Sequence, residues 1–177
     1  MILEAVRGDI TTQDLDAVVN AANSSLLGGG GVDGAIHAAA GPDLLEQCRA
    51  VRRETWIDGL PTGRAVATGA GRMRARFVIH TVGPKNWEHA DGGAELLADC
   101  HLSVLEEADR VGASSVAFPA ISCGVFGWEA ADAAPIAVAA VRKHFRLRPG
   151  SPVELVRFVL FDDVAHAHFV EAITSVE

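Results

Sequence analysis

The sequence predicts a three-layer α/β fold, in which helices pack on both faces of a central sheet. Short apolar runs typical of buried strands alternate with longer amphipathic segments typical of helices. No internal repeat and no low-complexity segment interrupts this alternation. Two glycine-bearing loops each follow an apolar run, which puts them at the carboxyl ends of strands, where open α/β sheets bind ligands.

The first half of the chain is expected to alternate strands with helices. Apolar runs bounded by glycine, proline or charged residues predict strands at residues 1–6, 17–20, 65–68 and 77–82. Thr11 or Thr12 is expected to cap a short helix after the first strand. The next helix is expected to begin at Asp33 as its N-cap and to end at Gly41. Pro42 suits the first turn of the helix that follows.

The second half of the chain continues this alternation. Strands are predicted at residues 115–118 and 153–161, a loop at 121–128, and helices that begin at Gly92-Gly93, at about residue 130 and after Asp162 or Asp163. In the first of these helices, apolar residues recur at the i, i+3, i+4, i+7 spacing of a core-facing surface. Pro135 is expected to be tolerated only if it lies in the first turn of its helix.

Size and composition fit one domain that spans residues 1–177. The chain has 177 residues, of which 49% are hydrophobic, enough for a substantial core. No apolar run reaches the about 18 residues of a transmembrane helix, and charges close to the amino terminus argue against a signal peptide. The 3 cysteines form no C-x-x-C pair, which argues against a disulfide framework or a zinc site. We therefore expect a cytoplasmic protein without a metal or a cofactor.

The charge of the chain limits the partners that it can bind. The net charge is −8, whereas duplex nucleic acid is bound largely through Lys and Arg side chains that neutralise phosphates. Both glycine-bearing loops lack Lys and Arg. A phosphate bound there would be held by backbone N–H groups and helix dipoles, which suits a small anionic ligand and disfavours nucleic acid.

The most distinctive stretch runs from Asn20 to Gly34 and contains four consecutive glycines, Gly28 to Gly31. Such a loop exposes backbone N–H groups and delivers a ligand to the positive end of a helix. The spacing Gly29-x-Gly31-x-x-Gly34 resembles a dinucleotide fingerprint, but its first glycine lies too far from the strand end. The Gly-Lys-Ser/Thr ending of a P-loop is also missing. From the glycines alone, a mobile loop and a ligand cradle remain equal alternatives.

Four ordered motifs together resemble the macrodomain family, and within it the MacroD-type hydrolase branch. They are Gly8-Asp9-Ile10-Thr11, the stretch from Asn20 to Gly34, Val78-Ile79-His80-Thr81-Val82-Gly83, and Phe118-Pro119-Ala120-Ile121-Ser122-x-Gly124-Val125-Phe126-Gly127. The resemblance covers nearly the whole chain. It implies an α/β/α fold with a mixed, roughly six-stranded sheet, and a metal-independent hydrolase that removes ester-linked groups from ADP-ribose. Implied substrates are O-acetyl-ADP-ribose and mono-ADP-ribosylated acidic side chains of proteins.

The resemblance also implies a role for individual residues. Gly8, Asp9 and Ile10 would contact the adenine, on which Phe161 would stack. Asn20 and Asn23 begin the first loop and would both contact the ligand, with Asn23 holding the distal ribose together with Phe126. The diphosphate would be bound by Gly28, Gly29, Gly30, Gly31 and Val32 in the first loop and by Ser122, Cys123, Gly124, Val125 and Phe126 in the second. Asn23 and Asp33 would be catalytic, with Asp33 orienting or activating a water.

Each of these residues also has a purely structural interpretation. Asp9, Asn20 and Asn23 are ordinary turn residues, and Phe161 alone would be read as a core aromatic. Asp33 as a helix N-cap would need no function. His37 and His80 are expected to be packed, hydrogen-bonded histidines, and Cys123 is left open as a reactive thiol. Two other functions stay open: a module that binds ADP-ribose without turnover, and a phosphatase acting on ADP-ribose 1-phosphate.

Overall fold

A six-stranded mixed sheet forms the centre of the protein. The computed structural model describes residues 1–89 and 92–175. The strands are β1 (Ile2–Arg7), β2 (Ala17–Ala21), β3 (Ala65–Gly69), β4 (Phe77–Thr81), β5 (Ser115–Phe118) and β6 (Leu155–Leu160). Their order across the sheet is β1-β6-β5-β2-β4-β3. All neighbours are parallel except β3, which runs antiparallel to β4 at one edge.

Five α-helices and a short 3-10 helix connect the strands. The α-helices are α1 (Gly31–Ala40), α2 (Pro42–Glu54), α3 (Gly93–Val111), α4 (Ala130–Leu147) and α5 (Asp163–Thr174), and the 3-10 helix covers Ile10–Thr12. Gly41 ends α1 with a φ of 80°, a backbone conformation that suits glycine. Within the described ranges, no helix combines the length and the apolar character that a membrane span requires.

The sheet separates two apolar layers, which makes the fold three-layered as the alternation predicts. Side chains alternate across each strand, so Ala17 and Val19 of β2 face α3, α4 and α5, whereas Val18 faces the opposite side. On that opposite side, Ile36 of α1 and Leu44 of α2 are fully buried against the sheet. The sheet therefore has helices on both faces, and the loops lie at the ends of its strands.

Three local predictions about helix ends and helix interiors are wrong. The 3-10 helix is capped by Asp9, whose side chain accepts a hydrogen bond from the Thr11 backbone, and not by a threonine. The N-cap of α1 is Gly30, so Asp33 lies inside the first turn. Pro135 is the sixth residue of α4 and thus lies beyond the first turn, in the helix interior.

The proline in α4 generates a prediction about stability. A Pro135→Ala substitution restores an N–H that can donate to the Ala131 carbonyl, so we expect the free energy of unfolding to rise by about 1–3 kcal/mol. Pro42→Ala is the matched control, because Pro42 is the first residue of α2, where the N–H has no helical partner. Urea denaturation of both variants measures the difference. Equal stability of the two variants would show that α4 accommodates its proline at no cost.

Candidate functional site at the carboxyl edge of the sheet

The parallel strands bring four loop segments to one edge of the sheet. Gly8 and Asp9 follow β1, Phe161 follows β6, and longer loops follow β5 and β2. Because these strands are adjacent in the order β1-β6-β5-β2, their carboxyl ends form one continuous line. Three strand spacings give this line a length of about 14 Å. An extended ligand could therefore contact all four segments.

The β1 end of this line carries the exposed ring of Phe161 and the carboxylate of Asp9, of which one oxygen is hydrogen-bonded within the described residues. Arg7 of β1 is in register with Leu160 of β6, and the Gly8 N–H donates to the Leu160 carbonyl at 3.1 Å. Asp9 Oδ1 accepts from the Thr11 backbone N–H at 2.8 Å, and Asp9 Oδ2 accepts no hydrogen bond from any described residue. The Phe161 side chain is 84% exposed, so its reading as a core aromatic is wrong. A planar group could stack on that ring.

The glycine loop forms an open surface before α1. Gly28 and Gly31 have φ values of 94° and 58°, which favour glycine, and a Cβ placed on Gly30 or Gly31 would meet no atom within 4 Å. No side chain caps α1, so the first N–H groups of the helix have no partner from a cap. Val32 is half-buried beside them. Free N–H groups at a helix N-terminus, facing open space, can bind an anion.

The second loop, which follows β5, is shaped by a tight contact with the end of β4. Ser122 is buried with a φ of 67°, and a Cβ on Gly83 would lie 2.2 Å from Ser122 Oγ. Gly124 and Val125 are exposed, whereas the Phe126 ring is half-buried with Lys85 Nζ 5.9 Å from its centroid. The backbone of Gly124 and Val125 is therefore exposed to solvent, between the buried Ser122 and the half-buried Phe126.

Cys123 in this loop has the properties of an unreactive thiol. Burial, together with the nearby charges of Glu129 and Asp162, raises the pKa of the Cys123 thiol to about 12. The nucleophilic form of cysteine is the thiolate. The raised pKa therefore keeps Cys123 protonated and argues against the reactive thiol that the sequence left open.

Asn23 builds the first loop through its own side chain. Its Nδ2 donates to the Gly28 carbonyl at 3.0 Å, and its Oδ1 accepts from the backbone N–H and the hydroxyl of Ser25. The oxygen therefore has both acceptor positions filled, and one N–H of the amide remains free for a ligand. Asn23 is a loop-forming residue as well as a candidate ligand contact.

Asp33 is a buried carboxylate beside this loop. Its side chain keeps only 6% exposure, and Oδ1 accepts a 2.8 Å hydrogen bond from Asn20 Nδ2. His37 Nε2 lies 3.4 Å from the same oxygen without the geometry of a hydrogen bond. A Cβ placed on Gly29 would lie 3.2 Å from Asp33 Oδ2 and 3.3 Å from Asn23 Nδ2. Asn23 and Asp33, separated in sequence, thus flank the same glycine.

Asn20, expected at the ligand, is fully buried behind Asp33, in a polar group with His80 and Thr68 that the sequence did not predict. Asn20 of β2 is in register with His80 of β4, and Asn20 Nδ2 lies 3.1 Å from His80 Nδ1. On the other side of the ring, His80 Nε2 lies 2.9 Å from Thr68 Oγ1. His80 is thus packed and hydrogen-bonded, as expected, whereas His37 Nε2 has no hydrogen-bond partner among the described residues. The sequence signal that could have indicated this group is a polar residue directly after two apolar strand residues: Asn20 after Val18-Val19, and His80 after Val78-Ile79.

The described residues at this edge do not form a metal centre. Across the part of the chain that the structure describes, no three His, Cys, Asp or Glu side chains come together in a way that could hold a metal ion. The chemical groups along the edge are backbone N–H groups, one buried carboxylate, amides and exposed rings. This set can bind an extended anion and can orient a water beside it.

Comparisons with known proteins give consistent matches. The family model described as "Macro domain" matches residues 19–137. A Streptomyces griseus protein named "Macro domain-containing protein in non 5'region" is 53% identical over 172 residues, 97% of this chain and 94% of its own length. A Citrobacter rodentium protein named "O-acetyl-ADP-ribose deacetylase" is 52% identical over 163 residues, 91% of this chain and 89% of its own length.

Two solved structures show the same fold. The Oceanobacillus iheyensis macrodomain with ADP superposes with a TM-score of 0.89 at 42% identity, covering 96% of this chain and 88% of that one. The Trypanosoma brucei macrodomain in complex with ADP-ribose gives a TM-score of 0.85 at 35% identity, covering 97% of this chain and 68% of that one. The mixed six-stranded sheet and its flanking helices agree with this fold.

The packing of the glycine loop on α1 generates a prediction. A Cβ on Gly34 would lie 2.5 Å from the Gly29 carbonyl oxygen, so Gly34→Ala must displace the loop or the helix. We expect the free energy of unfolding to fall by about 2 kcal/mol, as for other overpacked sites. Gly30→Ala is the control, because its Cβ meets open space at a φ of −95°. Chemical denaturation should show a smaller loss for Gly30→Ala, and equal losses would contradict the packing described here.

Proposed function

The chain belongs to the Macro domain family, and on this premise we propose that it binds ADP-ribose and hydrolyses ester-linked groups on it. The substrates in this proposal are O-acetyl-ADP-ribose and proteins that carry mono-ADP-ribose on Asp or Glu. The observation that carries the proposal is the buried Asp33 carboxylate, which lies beside a glycine loop with the features of an anion site. The relatives named O-acetyl-ADP-ribose deacetylase, at 52% identity, support the same activity.

In this proposal the adenine binds at the β1 end of the sheet edge. The free Asp9 Oδ2 accepts a hydrogen bond from the exocyclic amine, and the ring stacks on Phe161, with the Gly8 and Ile10 backbone beside it. The support is the unused acceptor of Asp9 and the 84% exposure of Phe161. A carboxylate is an acceptor only, so it would meet the guanine carbonyl without a hydrogen bond. This gives a physical basis for preferring adenine.

The diphosphate would bind between the loops after β2 and β5, through the N–H groups of residues 28–32 and 122–126. These loops contain no Lys or Arg, so the attraction comes from backbone dipoles and from the N-terminus of α1. The support is the open space at Gly30, Gly31 and Gly124, where a Cβ would meet no atom within 4 Å. The distal ribose would then lie between Phe126 and the remaining N–H of Asn23.

Asp33 would act on the ester through a bound water. Its Oδ1 is occupied by Asn20, which leaves Oδ2, beside Gly29, to orient a water toward the substrate. Attack of this water on the ester would release ADP-ribose and the free acid. General-base or orienting groups of this kind contribute about 10²–10⁴ to a rate. A carboxylate so close to a diphosphate opposes ground-state binding, which favours a role in the reaction over a role in affinity.

A reader that binds ADP-ribose without turnover is the second candidate. The observation that favours it is that Asn23 and Asp33 both make hydrogen bonds that stabilise the structure, Asn23 within its loop and Asp33 with Asn20. Such structural roles would explain both residues without catalysis. The cradle itself would serve either function equally. A measurement of turnover therefore has to separate them.

The first prediction from this proposal tests the glycine loop as the diphosphate site. Gly31→Glu places a side chain and a negative charge in the open space before α1, so we expect ADP-ribose affinity to fall at least about 100-fold, or about 2.7 kcal/mol. The φ of 58° makes the variant less stable by about 1–2 kcal/mol, which leaves it folded. Gly150→Glu is the matched control for charge, at an exposed glycine with open space. Titration calorimetry with normal binding by Gly31→Glu would show that the diphosphate lies elsewhere.

The second prediction separates hydrolase from reader. Asp33→Ala should keep ADP-ribose affinity within about tenfold, or about 1.4 kcal/mol, while hydrolysis of O-acetyl-ADP-ribose falls by about two orders of magnitude or more. Asn23→Ala should weaken both, because its amide would contact the ribose before and during the reaction. Single-turnover hydrolysis and calorimetry on the same preparations measure the two effects.

Asp132→Ala is the matched control for this experiment. Asp132 and Asp33 are each the third residue of a helix, so both substitutions remove a charge at the same point of a helix dipole. Asp132 is exposed in α4 and should leave turnover unchanged. Absence of turnover in the unmodified protein on every ADP-ribose ester would favour the reader. Full turnover by Asp33→Ala would leave a hydrolase whose mechanism is different.

A further inference from the structure

We propose that His80 is a positioning residue, held by Thr68 in its Nε2–H tautomer so that the Asn20 amide can only donate to Asp33. Neither His80 nor Thr68 would touch the ligand. They act through Asn20, which contacts the carboxylate directly. The effect on catalysis rests on the function proposed above, whereas the tautomer and the orientation of the amide can be tested without it.

The four side chains form a continuous path across three neighbouring strands and into α1. Thr68 of β3 contacts His80 of β4 at 2.9 Å, and His80 contacts Asn20 of β2 at 3.1 Å. Asn20 then reaches Asp33 of α1 at 2.8 Å. All four residues are at least nine-tenths buried, so water is largely excluded from the path. The proton on each group must therefore be assigned from its neighbours.

The direction of the hydrogen bonds is set at the Thr68 end. The Thr68 hydroxyl donates its single proton to the Gly69 carbonyl at 3.0 Å. Its oxygen can then only accept from His80, which requires the proton of the ring to be on Nε2. The other ring nitrogen, Nδ1, is left as an acceptor, and an Asn20 N–H fills it.

The protonation state of His80 removes the remaining alternative. Burial, with a smaller contribution from His37, lowers the pKa of His80 to about 3. The ring is therefore neutral at physiological pH and carries one proton. A doubly protonated ring would donate to Asn20 as well and would turn the amide around, with its oxygen toward His80.

The orientation of the amide matters because of the charge that it faces. In the arrangement described, one N–H of Asn20 donates to His80 and the other donates to Asp33 Oδ1. With the opposite tautomer, the Asn20 oxygen would turn toward His80 Nδ1 to accept its proton. Because one amide atom contacts both partners, that oxygen would then also face Asp33 Oδ1, with no proton to donate to it. Asn20 Oδ1 has no partner among the described residues, so the amide by itself has no anchor on that side. His80 supplies the anchor that keeps Asp33 in place.

The test removes the hydroxyl that sets the tautomer. In Thr68→Val, His80 Nε2 keeps only the neutral Cys48 thiol at 3.7 Å, a weak acceptor, so both tautomers become populated. We expect ester hydrolysis to fall about tenfold, as is common for residues behind a reacting group, with ADP-ribose affinity changed less than about twofold. Thr68→Ser keeps the hydroxyl and should restore both the rate and the tautomer.

Thr81→Val is the matched control. Thr81 is also a buried strand threonine, and its hydroxyl donates to a backbone carbonyl, that of Arg64 at 2.8 Å, and not to the ring of the preceding His80. Thermal melting of both valine variants reports the loss of stability that any deleted hydroxyl causes. Imidazole ¹⁵N spectra report the His80 tautomer, and the side-chain amide signals of Asn20 report its orientation.

The outcomes separate this inference from the proposed function. An Nδ1–H tautomer in the unmodified protein overturns the inference whatever the turnover. Altered spectra in Thr68→Val with an unchanged rate also overturn it and leave the hydrolase standing. If the unmodified protein has no turnover, the proposed function fails, and the inference is then decided by whether Asn20 signals move in Thr68→Val and not in Thr81→Val.

Discussion

The site depends on one constraint: the buried carboxylate of Asp33 lies beside a glycine loop whose free N–H groups favour anions. Asp33 is 4% exposed and lies in the first turn of α1, where the helix dipole and the Asn20 amide both stabilise its carboxylate. Asn20 is in turn held by His80 of the neighbouring strand. Removing any of these supports would leave a buried charge or a buried polar group without its partner. The polar ends of β2 and β4, within an otherwise apolar layer, follow from this requirement.

The parallel sheet supplies the second requirement, which is a line of loops at one edge. Because β1, β6, β5 and β2 all end on the same side, backbone N–H groups can converge from two loops that themselves contain no Lys or Arg. The glycines serve this geometry in different ways. Gly31 provides a positive φ. Gly34 allows a close contact with the Gly29 carbonyl, and Gly83 one with the Ser122 hydroxyl, and a methyl group would block either contact. A net charge of −8 is compatible with the proposed site, because backbone and helix dipoles, and not Lys or Arg side chains, would attract the anion.

The sequence predicted the layered fold well because hydrophobic periodicity reports directly on which surfaces are buried. It predicted local details less well. Asp33 resembled an N-cap, but the extended Gly30 takes that position and the carboxylate turns inward to Asn20. Phe161 by itself was read as a core residue, because an aromatic residue after an apolar run looks like part of the strand. The strand in fact ends at Leu160, one residue earlier. Thr68 gave no signal, because threonine is common in strands and only the register brings it to His80.

The arrangement around Asp33 also bears on the choice between hydrolase and reader. A reader gains affinity from every favourable contact with its ligand, and a carboxylate beside a diphosphate is an unfavourable one. The loop itself does not require that charge, since Gly30 caps α1 and Asn23 closes the loop through Gly28. Within the proposed function, the burial of Asp33 and its support by Asn20 and His80 hold one oxygen fixed and leave the other beside Gly29. That is the geometry required of a group whose contribution appears only when a water attacks the bound ester.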